Sequence, residues 1–319
     1  MSELELDEIN KKIIELEEVR NSIVKEIKRA QEKQKELDNI IIKLKSLSAE
    51  KDEGKKSAIV EEIAVGNAAE KKTIEDRLSS GIKKVDELML GGVPVSSNLV
   101  LFGPPFSGKE TLAYNFAAQS ILEAVPIVII AADKDIRQIK KEIARILGDD
   151  LELVDKMEAN KILRFIDLYS KSIQMSSPSK YAVVIDNVTN VSSLMKSLDS
   201  IATELEASYG YYRMLFVSLT AYIPQLDEKL LMRFIQQFVQ KRKAENGTAM
   251  YLLEYGLFEQ KVYETISYMM DGAIEFKLAN SKQYIRIVGL GNVKSREWIE
   301  VYPRPTTFDL GSFSLERVR

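Results

Sequence analysis

The chain reads as an α/β protein: a mainly parallel sheet flanked by helices, extended by a C-terminal β-hairpin and preceded by a long coiled-coil helix. Three observations predict this. Residues 1–47 hold no Gly or Pro and repeat apolar residues at heptad spacing. Beyond residue 73, continuous apolar runs alternate with stretches of helical periodicity. One of those runs, Leu99-Val100-Leu101-Phe102, leads straight into the turn Gly103-Pro104-Pro105-Phe106-Ser107-Gly108, with Lys109 behind it.

The heptad register of residues 1–47 places Leu6, Ile13, Arg20, Ile27, Gln34 and Ile41 at a. Ile9, Leu16, Ile23, Ala30, Leu37 and Leu44 fall at d, so ten of the twelve seam positions are apolar over six heptads. Ile at three of the a positions with Leu at three of the d positions favours a parallel two-stranded coil, and Arg20 and Gln34 would fix its register at a cost in stability. Val19, Val24 and Ile40 widen the stripe, which leaves a larger bundle or a docking face open. Such a rod reaches roughly 65–70 Å at 1.5 Å per residue. Residues 48–72 form a charged linker, with a short helix expected over Ala58–Val65 before Gly66-Asn67.

Residues 73–319 carry the α/β texture. Leu99–Phe102 is a strand, Glu110–Glu123 a helix, Val125–Ala132 a buried strand, and Ile136–Leu147 a helix closed by Gly148. Tyr181–Ile185 reads as a further buried strand that delivers Asp186 at its end. Leu194–Ala207 is helical, Met214–Leu219 a strand, Lys229–Lys243 a helix and Ala249–Leu253 a strand. Gly272–Leu278, Gln283–Val288 and Trp298–Tyr302 read as antiparallel strands, with the sole tryptophan expected to pack the hairpin against the sheet.

Composition limits the chemistry. With 319 residues, 45% of them apolar, the chain builds a sizeable core. It has no Cys and no His, which removes thiolate chemistry, Cys-based zinc and the usual general base. A net charge of −3, from 45 basic and 48 acidic residues, gives no electrostatic reason to expect nucleic-acid or membrane-surface binding. The longest apolar run is too short to span a bilayer, so a soluble cytoplasmic protein is expected.

The turn Gly103–Lys109 carries the strongest functional signal. A Gly-rich turn that leaves a strand and opens a helix aims backbone N–H groups at one point, and a lysine adds charge for a triphosphate. Ala182-Val183-Val184-Ile185 ending on Asp186, about 80 residues later, supplies the carboxylate that in phosphate-loop NTPases steadies hydrated Mg²⁺. ATP or ADP, with Mg²⁺, are the ligands these residues imply. The pattern GxxxxGK[ST] then asks for a hydroxyl, and the chain offers Glu110 followed by Thr111. Glu110 adds like charge beside the phosphates unless a cation bridges them.

The entry Arg77-Leu78-Ser79-Ser80-Gly81-Ile82, then Val85-Asp86-Glu87-Leu88 and Gly91-Gly92-Val93-Pro94, resembles that of KaiC-like ATPases of the RecA/RadA group. The likeness runs through the loop, Asp186-Asn187-Val188-Thr189 and Met270-Asp271-Gly272-Ala273-Ile274-Glu275, and covers roughly residues 73–303. It implies a RecA-like fold, ring or filament assembly and ATP chemistry of a kind common in archaea. It also implies a Glu or Glu-Glu pair that polarises water after the second strand, where this chain has Ala131-Ala132 and then Asp133. It implies a trans-acting Lys-x-Arg on a late strand, where this chain has Gly289-Leu290-Gly291 with Lys294 and Arg296 beyond. Ser218 and Thr220 fall where the group places a sensor residue.

These departures predict a degenerate member that binds nucleotide but hydrolyses it poorly or not at all, and acts as a regulatory or scaffolding protein. Phosphoryl transfer is catalysed by positioning and charge stabilisation, so their loss is costly. The alternatives are an active switch, with Glu110 and Asp133 in improvised roles, and a RadA-like DNA-binding paralogue. A homodimer through the coil is favoured over a hexamer, with a protein partner plausible.

Overall fold

The computed structural model describes residues 77–187 and 189–313, within the second of two compact units, Thr73–Arg319. The heptads of residues 1–47 and the linker 48–72 lie outside the described residues.

The described chain opens with a two-stranded ribbon, β1 (Arg77–Leu78) and β2 (Val93–Pro94), around the short helix α1 (Lys83–Leu88). It continues through β3 (Asn98–Gly103), α2 (Lys109–Leu122), β4 (Ile127–Ala131), α3 (Ile136–Ile146), α4 (Leu151–Ala159) and β5 (Leu163–Asp167). After α5 (Tyr169–Ser172) come β6 (Val183–Val184), α6 (Val191–Tyr209), β7 (Tyr212–Val217), α7 (Glu228–Ala244), β8 (Gly247–Glu254) and α8 (Gln260–Met269). β9 (Gly272–Ala279), β10 (Lys282–Val288), β11 (Ile299–Pro303) and β12 (Phe308–Leu310) close it.

One ten-stranded sheet has the order β12-β11-β10-β9-β3-β8-β7-β4-β5-β6. The seven strands from β9 to β6 are parallel, and β10, β11 and β12 add antiparallel to the β9 edge. This is the RecA-like architecture with its C-terminal hairpin extension. The parallel strands read as unbroken apolar runs because both faces are covered. Leu99, Leu101, Ile129, Leu215 and Leu252 point into one core with α2 and α3. Val100, Ile130, Phe216, Tyr251 and Leu253 point into the other with α6, α7 and α8.

One expected strand changes character. Tyr181–Ile185 is not a buried strand: only Val183–Val184 pairs, at the outer edge, and Tyr181 and Val183 face solvent. The interior place beside β4 is taken by β5, Leu163-Arg164-Phe165-Ile166-Asp167, which sequence reading left unassigned. Trp298 is also not a core residue; it is half-buried at the start of β11, with cations against its ring.

Candidate functional site: the phosphate loop

The start of α2 differs from those of four other helices; α1, α5 and α8 also lack a side-chain cap, but none of them begins on a glycine. α3, α4, α6 and α7 each begin on a side-chain cap, in which Asp135, Asp150, Asn190 and Asp227 accept from first-turn amides. α2 begins on Gly108 (φ +101°), which has no side chain to offer. Its first-turn N–H groups therefore remain available to an anion, at the positive end of the helix dipole. Gly103 is required by proximity: a Cβ there would sit 2.4 Å from Ser107 Oγ and 2.8 Å from Phe276 Cβ. Gln283 of β10 donates to the Phe106 carbonyl at 2.9 Å and ties the loop to the hairpin.

The side chain expected to meet phosphate is already occupied. Lys109 is 1% exposed. Its Nζ pairs with Glu110 Oε1 at 2.8 Å and with Glu254 Oε1 at 2.9 Å, and donates to the Pro104 carbonyl at 3.1 Å. Glu110 comes from the position where a hydroxyl is expected. Glu254 comes from the C-terminal end of β8, the strand in register with β3 on one side. Two carboxylates against one ammonium leave a net negative charge where a phosphate needs a positive one. Glu254 Oε2 and Ser107 Oγ are buried without a partner, so the cradle retains polar atoms that a ligand or water would satisfy.

Asp133 follows β4 and turns to the same region. The residue is exposed, yet the protein atoms around its carboxylate displace enough water to raise its pKa. Lys134 and the Ser218 hydroxyl, which donates to it, pull the other way, and Glu254 pushes it up again. Thr220 Oγ1 accepts from the Glu254 amide at 2.9 Å, so the end of β7 braces both carboxylates. Tyr114 of α2 stays neutral: burial dominates, with Asp133, Glu110 and Glu142 adding to it.

A groove of about 750 Å³ opens beside the loop, lined by Phe106, Thr111, Tyr114, Lys141 and Arg304 among others. Its far wall is pinned by Asn115, which donates to the Thr306 carbonyl at 2.8 Å, and by Arg145, which donates to that of Pro305 at 3.1 Å. Thr111 faces this groove and not Lys109.

Asp186 requires a correction. It lies beyond β6, five strands from β3, roughly 24 Å at the usual strand spacing. Its side chain is 90% exposed, with Lys171 at 3.9 Å as its nearest cation. The strands that end near the loop are β8, β7 and β4. They bring Glu254, Ser218 and Asp133; β7 itself ends on Val217, which carries no carboxylate. Glu110 and Asp186 therefore do not converge on one Mg²⁺. Among the described residues no cluster of three or more Asp or Glu is arranged to hold a metal.

The remaining expectations sort by the end of the sheet they occupy. β10 runs antiparallel, so Lys294 and Arg296 emerge opposite the loop, where the Lys294 amide donates to the Leu88 carbonyl. Tyr209, Tyr211 and Tyr212 lie at that end too. Lys241, Arg242 and Lys243 are each paired with a carboxylate, Asp199, Glu245 or Asp271, among the described residues. Glu254 is the site residue that sequence reading missed.

A family model described as "ATPase: KaiC" matches residues 78–300. The chain belongs to the KaiC ATPase family. A solved KaiC-like protein, PH0186 from Pyrococcus horikoshii OT3, superposes with a TM-score of 0.58 at 19% identity over 74% of this chain and 99% of that one. At that identity the likeness concerns the fold. A UPF0273 protein of Aeropyrum pernix is 25% identical over 111 residues, 35% of this chain and 43% of the relative. Another, of Methanopyrus kandleri, is 26% identical over 132 residues, 41% of this chain and 50% of the relative. This KaiC-like chain thus spans about half the length of the curated relatives it matches. Among the described residues no helix is long and apolar enough to cross a membrane.

Proposed function

We propose that this KaiC-like chain binds ATP or ADP weakly at its phosphate loop, turns it over very slowly or not at all, and works as a regulatory or scaffolding protein. The observation that carries this is the buried Lys109 held between Glu110 and Glu254. An incoming phosphate must displace a carboxylate from that lysine and then lie beside it. The loss of trans-acting cations adds to the deficit, since an arginine finger alone is worth roughly 10³–10⁵ in rate. Residues 1–47 supply the assembly element, with a homodimer favoured; a protein partner fits such a role.

Phosphate release by the purified full-length chain tests the reading. Turnover indistinguishable from blank, together with weak calorimetric binding of ATP or ADP, is the expected result. Light scattering with and without residues 1–47 tests the assembly element, and an unchanged oligomer after deletion removes the rod from that role.

A second reading, an active switch, draws on Asp133. A carboxylate with a raised pKa beside the loop is suited to proton transfer or to orienting water. Turnover well above blank, abolished by Lys109→Ala in a variant with native circular dichroism, selects that reading. The DNA-binding reading has no support from the paired run Lys241-Arg242-Lys243, and a salt-titrated DNA-binding assay with no slope disposes of it.

A further inference from the structure

A second concavity lies on the other face of the sheet and shares neither the loop amides nor Lys109. β9, β10 and β11 bury Ile274, Ile285 and Ile299 on one face. On the opposite face, among the described residues, α8 is the last helix, and a groove of about 760 Å³ runs between it and the strands. That volume suits a small organic ligand. The floor is apolar, built from Phe102, Met270 and Ala273. Tyr255 and Tyr268 rim it, Tyr268 at 90% exposure.

The wall carries charge on aromatic rings. Lys277 Nζ lies 4.1 Å from the Trp298 ring centroid and 5.2 Å from that of Tyr284, and the Arg286 guanidinium lies 4.6 Å from Trp298. Of the other charges around the groove, all but Glu264 are held in ion pairs. Arg286 pairs with Glu275 at 2.5 Å, Asp271 pairs with Lys243, and Glu264 accepts from Gln260. Lys277 has no carboxylate partner among the described residues, and rings alone hold it. An ammonium kept on an aromatic wall above an apolar floor is complementary to a molecule with one anionic group and an apolar body.

We propose that this groove binds a small amphipathic organic anion. The anionic group meets Lys277, and the apolar body lies on Phe102 and Met270 between Tyr255 and Tyr268. The groove borders the phosphate loop at Pro104 but takes no contact from the loop amides or from Lys109, so the proposal does not require the loop to hold nucleotide.

Trp298 is the chain's only tryptophan, so its emission reports on this wall alone. Anilinonaphthalene sulfonate, an aromatic anion, is titrated into the full-length protein while Trp298 quenching is followed. Saturable quenching is expected. Lys277→Ala weakens the affinity about tenfold, the scale of one charge-assisted contact. Lys277→Arg retains affinity, and Lys141→Ala, in the loop groove, leaves it unchanged, with native circular dichroism in all three variants. An affinity indifferent to Lys277→Ala overturns the proposal. So does the absence of saturable quenching, or quenching by an acidic aromatic peptide but not by the small anion.

Discussion

β8 ends at Glu254 and β6 stops two residues before Asp186, and the surroundings of these two carboxylates differ completely. Glu254 closes on a buried ammonium beside a Gly-rich turn, and its backbone amide is held by Thr220. Asp186 stands in solvent at the sheet's outer edge. The local sequence is similar: several apolar residues, then an acid. Position in the sheet makes the difference. β8 lies against the loop strand and β6 lies five strands away. A carboxylate acquires a role at the phosphate loop only when its strand ends within reach of Lys109.

The comparison is broken or sharpened most strongly at Lys109. Lys109→Ala leaves Glu110 and Glu254 facing each other beside the Pro104 carbonyl. Removing one partner of a buried ion pair costs about 3–5 kcal/mol, and the partial exposure of both carboxylates puts this site at roughly 3 kcal/mol. Urea denaturation measures it. A second change, Glu254→Gln, recovers part of the loss if the two groups interact directly. A loss below about 0.5 kcal/mol, the range of an ordinary surface change, shows that the clamp contributes nothing.

Gly103→Ala comes next. The added methyl would fall 2.4 Å from Ser107 Oγ and 2.8 Å from Phe276 Cβ, so at least one of these neighbours must shift. Overpacking of this kind costs about 1–3 kcal/mol and is read as a lower melting temperature. Glu110→Thr probes the other half of the clamp. It removes one of the two anions on Lys109 and supplies the missing hydroxyl. ATP affinity rises by about tenfold, the weight of one charge-assisted contact, in a calorimetric titration. An unchanged affinity means that Glu110 does not compete with phosphate.

Asp133→Asn acts through pH. A carboxylate whose folded pKa lies above its ordinary 3.8 destabilises the fold while ionised. That penalty is present above the folded pKa and disappears as pH falls below 3.8, where both states are protonated. The variant therefore melts above wild type at pH 7, and the gap closes towards acid. Thermal melts across that range show it. A gap that widens in acid has the opposite sign and removes burial as the governing cause.

The loop and the alternation around it were legible because their signals are local. Gly103, Gly108 and Lys109 stand at fixed spacing, and each parallel strand is a continuous apolar run. β5 was not legible, because Arg164 interrupts its run and marks no period; pairing with β4 decides it. Tyr181–Ile185 misled for the opposite reason, since its apolar run suits an interior strand and only the sheet order places it at the edge. Glu254 follows a strand that was recognised. Its importance is not local, because the adjacency of β8 to β3 joins residues about 150 positions apart. Trp298 was misread for a related cause: composition favours burial of an indole, whereas Lys277 and Arg286 hold this one at a surface groove.

The smallest expected effect completes the comparison. Asp186→Ala removes a carboxylate that is 90% exposed, and whose nearest cation, Lys171 at 3.9 Å, is itself half in solvent. An exposed pair at that separation contributes about 0–1 kcal/mol, and water solvates both charges when it breaks. Stability stays within about 0.5 kcal/mol of wild type, and ATP affinity does not move. The affinity is the decisive reading. A loss there, in a variant that melts like wild type, brings the end of β6 to the phosphates in solution. It also returns to Asp186 the role that the sheet order gives to Glu254 and its neighbours.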